Sequence, residues 1–407
     1  MDKYRILSLD GGGTWALLQV MALQKLYGPG EQGYDVLKRF NLVAANGGGS
    51  IVLAGLAMNM TLQQVLDDFF VDDRRRRILF GPTEMGWTGA AEKIRLEALR
   101  DVFGRYRDHS LGALFGGVRQ HTGVSPNFLV CAFDYDRRRP EFFRSNLTSP
   151  SASSTGTWDP TLAEVIQASM TSPIEDLKAL AKIEGARFCD GSPAGLYNPI
   201  LAAVTEARAI RRGTSTDIQV LSIGTSTVER PLSKLSAGNG WLRWAKKKKK
   251  EPSDFLESVA KTVFAGPSDA PTYIAHVMLE QQLPGPGNPP PIVTGSVVRM
   301  NPVIRLAWDQ ATNGWAPQTG VADNVLKWVA QLEKAAVEKR GIDLVTAFGK
   351  LWIGDVVDNE PIRANRDFKC EVGHEKFSKA AAAWRALAGE PALRDTSPAA
   401  GAPPAAA

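Results

Sequence analysis

The sequence is poor in the residue types that most often carry chemistry. Its three cysteines, Cys131, Cys189 and Cys370, are scattered through 407 residues. That is too few and too dispersed for a disulfide framework or a cysteine-based zinc site, and it fits a reducing compartment. The four histidines, His109, His121, His276 and His374, share no metal-ligand spacing and sit in no motif. No metal is therefore expected, and a Ser-His-Asp triad has no obvious imidazole. No stretch approaches the roughly 18 to 20 unbroken apolar residues of a membrane-spanning helix. The longest, Leu42 to Met58, is interrupted by Asn46, a glycine run and Ser50. The first residues enter a strand-like run at once and leave no room for a signal peptide, so a cytoplasmic location is the simplest expectation. Charge is nearly balanced: 48 Lys and Arg against 43 Asp and Glu give +5, so local clusters weigh more than the total. The pattern G-x-S-x-G does not occur anywhere in the chain.

What is present is ordinary for a globular protein, with 44% hydrophobic and 22% charged residues, which excludes a wholly disordered chain. Ile6 to Leu9 reads as a strand closed by Asp10-Gly11-Gly12-Gly13, and Thr14 to Tyr27 follows with apolar residues at helical spacing. A second strand–turn–helix covers Phe40 to Ala44, Asn46 to Ser50, and Ile51 to Met58. Residues 61–120 read as mostly helical, with Asp72 to Arg77 as a charged break. Phe128 to Phe133 and Glu141 to Arg144 read as paired strands around a turn. Further elements are a helix over Leu162–Met170, strands over Ala186–Cys189, Ile218–Ile223 and Val297–Met300, and helices over 253–282 and Val321–Lys339. Strands alternating with helices predict a largely parallel sheet covered on both faces. Pro284 to Pro291 and the Ala/Pro-rich tail are expected to be mobile.

Two glycine-rich turns carry the chemical interest. Asp10-Gly11-Gly12-Gly13 offers bare N–H groups at a helix N-terminus, which suits a phosphate or the oxyanion of an acyl-transfer intermediate; a tight turn with no ligand is the alternative. Gly11-x-Gly13-x-x-Ala16 also matches a dinucleotide fingerprint, but Asp35 does not end a second strand as the ribose-binding acid should. Asp10 to Thr14 is similar to the phosphate loop of actin-like sugar kinases, although that loop joins two strands of a hairpin. The oxyanion reading needs a nucleophile on a second turn. Phe40 to Gly49 is a strand, a turn of small residues and a helix, the layout of a nucleophile elbow.

With both turns in view, the chain resembles the patatin-like acyl hydrolases over roughly residues 4–305. That family pairs a DGGG loop with G-x-S-x-G on the next strand–helix turn and uses a distant Asp in an Asp-Gly-Gly or Asp-Gly-Ala motif. Here Asp190-Gly191-Ser192 closes a strand and Asn198-Pro199 follows; Ala168 to Pro173 and Leu221 to Thr225 also look like family segments. The departures are equally specific. Trp15-Ala16 replaces the usual Arg-Gly, Ala45 stands where glycine is usual, and the nucleophile position itself is Gly47. Taken literally, the chain lacks the hydroxyl that attacks an ester. It is either a serine-to-glycine form of an active parent, which the completeness of the remaining parts favours, or a natural pseudoenzyme that only binds. Ser50, one helical turn on, is expected to hydrogen-bond backbone rather than replace the nucleophile.

The resemblance implies a patatin-like three-layer α/β fold over 1–310, with a C-terminal helical region over 311–390 and a disordered tail over 391–407. It implies a lipid acyl hydrolase of phospholipase A type needing no cofactor. Gly11, Gly12 and Gly13 would form the oxyanion hole, position 47 would carry the nucleophile and Asp190 would act as base in a two-residue mechanism. A structural cap is the alternative role for Asp190. Some bacterial relatives are toxins or defence effectors, so a small-molecule (nucleotide) or protein activator is compatible with the family. Trp241 and Trp244 beside Lys246, Lys247 and Lys248 suit contact with an anionic membrane, against a plain solvated basic loop. No DNA- or RNA-binding module accompanies that charge. Arg74 to Arg77 and Arg137 to Arg139 read as solvated turns or a site for an anionic regulator.

Overall fold

The computed structural model describes residues 2–81, 91–145, 159–172, 180–212, 216–228, 269–280, 295–309, 314–317, 320–321, 337–365 and 369–391. Its strands include β1 (Asp2–Leu9), β2 (Leu42–Asn46), β3 (Asn127–Asp134), β4 (Arg139–Arg144), β5 (Ala181–Ile183), β6 (Ala186–Asp190), β7 (Thr216–Ile223), β8 (Thr227–Val228) and β9 (Val297–Met300). An eight-stranded sheet runs in the order β5-β6-β3-β2-β1-β7-β9, with β4 also paired to β3. The central pairs β3–β2, β2–β1, β1–β7 and β7–β9 are parallel. Within this sheet, β4 and β6 pair antiparallel with β3, and β5 antiparallel with β6.

Successive side chains of a strand point to opposite faces, and here both faces are apolar. Leu7, Leu9, Val43, Ala45 and Val130 join one core with helices Leu17–Tyr27, Gly48–Ala57, Leu162–Met170, Lys339–Ile353 and Phe377–Ala388. Tyr4, Ile6, Leu42, Ala44 and Leu129 join a second with helix Ile200–Ile210 and with Ala275 of helix Asp269–Glu280. A sheet covered twice explains why its strands read as nearly continuous apolar runs. The fold is a mixed α/β three-layer arrangement with a mainly parallel central sheet, as the sequence implied.

Several boundaries differ from expectation. β2 starts at Leu42 rather than Phe40, because the Asn41 side chain accepts the Arg5 N–H at 2.8 Å and the Phe40 ring stacks on Trp384. The Thr14 helix opens as a single 3-10 turn, Gly13–Ala16. The C-terminal region is not purely helical: strands Leu306–Asp309 and Gly314–Pro317 form one antiparallel pair, and Arg363–Ala364 with Cys370–Val372 another. Most of 253–282, most of Val321–Lys339, Pro284 to Pro291 and nearly all of the tail lie outside the described residues.

The charged break is confined to Asp72, and the reading of Arg74 to Arg77 as a solvated turn is corrected in part. Asp73–Phe80 is a helix, capped by the Asp72 carboxylate, which accepts the Arg75 N–H at 2.7 Å. Arg76 is not solvated but 1% exposed. Its guanidinium donates to the carbonyls of Phe70, Val71 and Val337, at 3.1, 2.7 and 2.7 Å, and pairs with Asp73. The sequence shows four arginines in a row but not which one the helical twist turns inward. Arg76→Met removes these donors from buried carbonyls and is expected to cost about 2–4 kcal/mol in urea unfolding.

Candidate functional site

β1 and β2 are neighbouring parallel strands with Leu9 opposite Ala45. Their turns therefore leave the sheet side by side at its carboxyl end, where open α/β sheets form ligand crevices. The first turn needs glycine, since Gly12 has φ 130° and a β-carbon there would stand 2.2 Å from Thr225 Oγ1. The second turn places Gly47 at φ 50°, ψ −125° between β2 and helix Gly48–Ala57. Glycine adopts that conformation without strain and other residues do not.

The two turns are in direct contact. A β-carbon at position 47 would lie 3.2 Å from Gly11 Cα and 3.7 Å from Gly12 N, so a side chain there projects onto the first glycine loop. Gly48 and Gly49 are required by the same closeness: a β-carbon at 48 would meet the Gly13 carbonyl oxygen at 2.2 Å, and one at 49 the Leu9 carbonyl oxygen at 2.6 Å. Both obstacles are backbone and cannot swing aside. Gly48→Ala is thus expected to lower stability by about 2–4 kcal/mol, measured by chemical denaturation.

Asp190 reaches the same corner by strand register. On one edge of β3, β2 pairs as far as Asn46 opposite Cys131, and β6 pairs with its last residue Asp190 opposite Ala132. β2 and β6 therefore meet head to head, with Asp190 just beyond the end of the strand that leads into position 47. Three bonds fix the junction. Asn46 Oδ1 accepts the Gly191 N–H at 2.9 Å, Ser169 Oγ accepts the Gly47 N–H at 3.0 Å, and the Thr171 carbonyl accepts the Asp190 N–H at 2.9 Å. Ser169 in turn donates to the Cys131 carbonyl at 2.8 Å, locking the end of helix Leu162–Met170 to β3. Burial pushes the Asp190 carboxyl up to about 6, although the hydrogen bonds from Ser192 oppose the shift. The Ser192 N–H donates to Asp190 Oδ1 at 2.7 Å, so this residue does cap the following turn.

One expected donor is already engaged. The Gly11 N–H donates to the Tyr197 carbonyl at 2.7 Å, and the Gly11 carbonyl accepts the Thr225 hydroxyl at 2.5 Å. Gly12 and Gly13 remain as the loop amides with no hydrogen-bond partner among the described residues. Ser50 is buried and donates to the Gly47 carbonyl at 2.6 Å, as expected for a residue bonded to backbone. Trp241, Trp244, Lys246, Lys247 and Lys248 lie outside the described residues. Among the described residues, no helix is long and apolar enough to cross a membrane, and no His/Cys/Asp/Glu group could hold a metal ion.

Behind the first loop lies a charge cluster that sequence reading missed. Asp10 is 1% exposed and both its oxygens are taken by Arg299 of β9, Nη1 to Oδ1 at 3.0 Å and Nη2 to Oδ2 at 2.6 Å. Burial alone would lower the Arg299 pKa, but Asp10 and Glu360 outweigh it and hold the guanidinium charged. The available signal was an arginine inside the apolar strand Val297–Met300, since such a charge is almost never buried unpaired. Asn46, read only as an interruption, is the other omission.

A glycine-lined strand–helix elbow, an adjoining loop whose Gly12 and Gly13 amides have no hydrogen-bond partner among the described residues, and the Asp190 carboxylate thus share one corner of the sheet. Residues 7–204 match the family model Patatin, described as patatin-like phospholipase, and the fold is consistent with that family's. A relative from Escherichia coli, described as a cUMP-AMP-activated phospholipase, is 23% identical over 234 residues, which cover 56% of this chain and 66% of that protein. The alignment thus spans slightly under two thirds of that relative's length. Among solved structures, VipD from Legionella pneumophila aligns with a TM-score of 0.38 and 10% identity, over 95% of this chain and 75% of that one. The family match and the phospholipase relative support lipid hydrolysis at the level of the family.

Proposed function

We propose that the active parent of this chain is a lipid acyl hydrolase of phospholipase A type with serine at position 47, and that the Gly47 form is catalytically silent. The observation that carries this reading is the abutment of position 47 on the loop that presents the Gly12 and Gly13 amides, with Asp190 at the end of the facing strand. In the serine form the hydroxyl oxygen attacks the ester carbonyl while Asp190 takes its proton. The negative charge that develops on the carbonyl oxygen is met by the loop amides. Collapse transfers that proton to the departing lysolipid alkoxide and leaves an acyl-enzyme. Asp190 then deprotonates water, which releases fatty acid and returns the serine proton. No cofactor enters the scheme.

A peripheral encounter with anionic phospholipid and control by a nucleotide-type small molecule or a protein belong to the same proposal. The description of the Escherichia coli relative agrees with the nucleotide option. A second reading, a lipid- or nucleotide-binding pseudoenzyme, is favoured by one observation, the absence of a hydroxyl at position 47. A sugar kinase of the actin-like type fits less well, because the glycine loop joins a strand to a helix. Incubating the Gly47 and Gly47→Ser proteins with mixed zwitterionic and anionic phospholipid vesicles separates them. Fatty acid released only by the serine form supports the hydrolase; binding without release by either form supports the pseudoenzyme.

A further inference from the structure

Asp10 poses an electrostatic problem for any reaction at this corner. Its carboxylate immediately precedes the amides that would receive a developing oxyanion. An Asp at a loop start readily turns its own side chain onto backbone N–H groups two or three residues ahead. Left unpaired, Asp10 would both repel an oxyanion and compete for the Gly12 and Gly13 amides.

Arg299 prevents both. Its planar fork holds the two carboxylate oxygens bidentately, the geometry in which arginine is not interchangeable with lysine. The fork is itself aimed from behind. Ser222 Oγ accepts from Arg299 Nη1 at 2.8 Å, and Glu360 Oε2 accepts from Nε at 3.4 Å and from Asn301 Nδ2 at 2.7 Å. Asn359 Nδ2 donates to the Arg299 carbonyl at 3.0 Å, and Asn359 Oδ1 accepts the Asn301 N–H at 2.8 Å. All of Asn301, Asn359, Glu360 and Arg299 are buried. Arg299, Asn301, Asn359 and Glu360 lie C-terminal to the segment that matches the family model.

We propose that Arg299 is a positioning residue for the glycine loop, and that Arg299, Asn301, Asn359 and Glu360, all beyond residues 7–204, complete the site from behind. The role in turnover rests on the acyl-hydrolase reading; the role in holding the loop does not. In the Gly47→Ser protein, Arg299→Met is expected to lower kcat about 100-fold with KM changed less than about threefold, the pattern of misplaced transition-state donors. Arg299→Lys, which keeps the charge but not the fork, recovers part of the loss. Adding Asp10→Asn to Arg299→Met recovers about tenfold, because no carboxylate is left to oppose the oxyanion. An unchanged kcat, or kcat and KM collapsing together with global unfolding, overturns the proposal.

If the Gly47→Ser protein releases no fatty acid, with or without an added cyclic dinucleotide, the hydrolase reading fails by itself. Amide hydrogen exchange on the Gly47 chain then decides the positioning role. At least about tenfold faster exchange in Arg299→Met confined to residues 9–16, with helix Leu162–Met170 unchanged, upholds it. Equal exchange, or a uniform increase across the protein, overturns it.

Discussion

Gly47→Ser is expected to raise fatty acid release by at least ~10³-fold over the glycine chain, and to lower stability at the same time. On the proposed mechanism the gain follows from supplying a nucleophile at position 47, since a site without one retains only binding and oxyanion assistance. The loss follows from backbone geometry. Position 47 sits at φ 50°, ψ −125°, which costs a residue bearing a β-carbon on the order of 1–3 kcal/mol. The new β-carbon would stand 3.2 Å from Gly11 Cα, closer than ordinary packing, so the first loop must also give by a few tenths of an ångström on top of the conformational penalty. Gly47→Ala is the control: it should lose the same stability and gain no activity. Vesicle hydrolysis and urea denaturation on the three proteins test both halves. A serine form as stable as the glycine chain would show that the elbow stores no strain.

In the serine protein, Asp190→Asn is expected to reduce kcat by ~10³-fold or more, because the base of a two-residue mechanism has no histidine to share its task. Asparagine keeps an acceptor for the Ser192 N–H, so the loss reports proton transfer and not collapse of the turn. The pH profile adds a second check. Asp190 acts only when ionised, and burial holds its pKa near about 6, so kcat/KM should fall as pH drops below that value.

The same shift has an opposite sign for stability. A carboxyl whose pKa is higher in the native state than in the unfolded chain favours folding when protonated. That contribution is complete below the ordinary value of 3.8 and is lost as pH rises through about 6. Asp190→Asn should therefore be more stable than the parent above pH 6, with the gap closing between about pH 6 and 4. Denaturation midpoints across that range test it; a pH-independent difference would mean that the native carboxyl is not shifted.

How much of this was legible in the sequence depends on the range of the interactions. The Asp10–Gly13 and Asn46–Ser50 turns and Asp190-Gly191 announce themselves, because turns at strand ends demand particular residues locally. The largely parallel character of the sheet followed from strand–helix alternation, whereas its order β3-β2-β1-β7-β9 did not. What was not legible depends on partners distant in the chain. Whether the Gly11 amide is free is decided by the Tyr197 carbonyl, and no property of the glycine run reveals it. Arg299 and Asp10 are separated by most of the protein, so their pairing exists only after the sheet has assembled. Arg76 was misjudged for a related reason: a run of like charges suggests solvent until the helix assigns one member to the interior. The Trp241–Lys248 cluster belongs to the part of the chain on which the fold is silent.

The head-to-head meeting of β2 and β6 makes β3 a ruler for the site. Both strands read their position from one edge of the same template, and one step along it is about 3.3 Å. A one-residue slip of β6 would shift its terminal carboxylate by that step and turn it to the opposite side of the sheet. The spacing between position 47 and Asp190 is thus metered by backbone pairing, not by side-chain packing, so substitutions that loosen the core should spare it. A single-residue insertion within β3 between Cys131 and Ala132 should not.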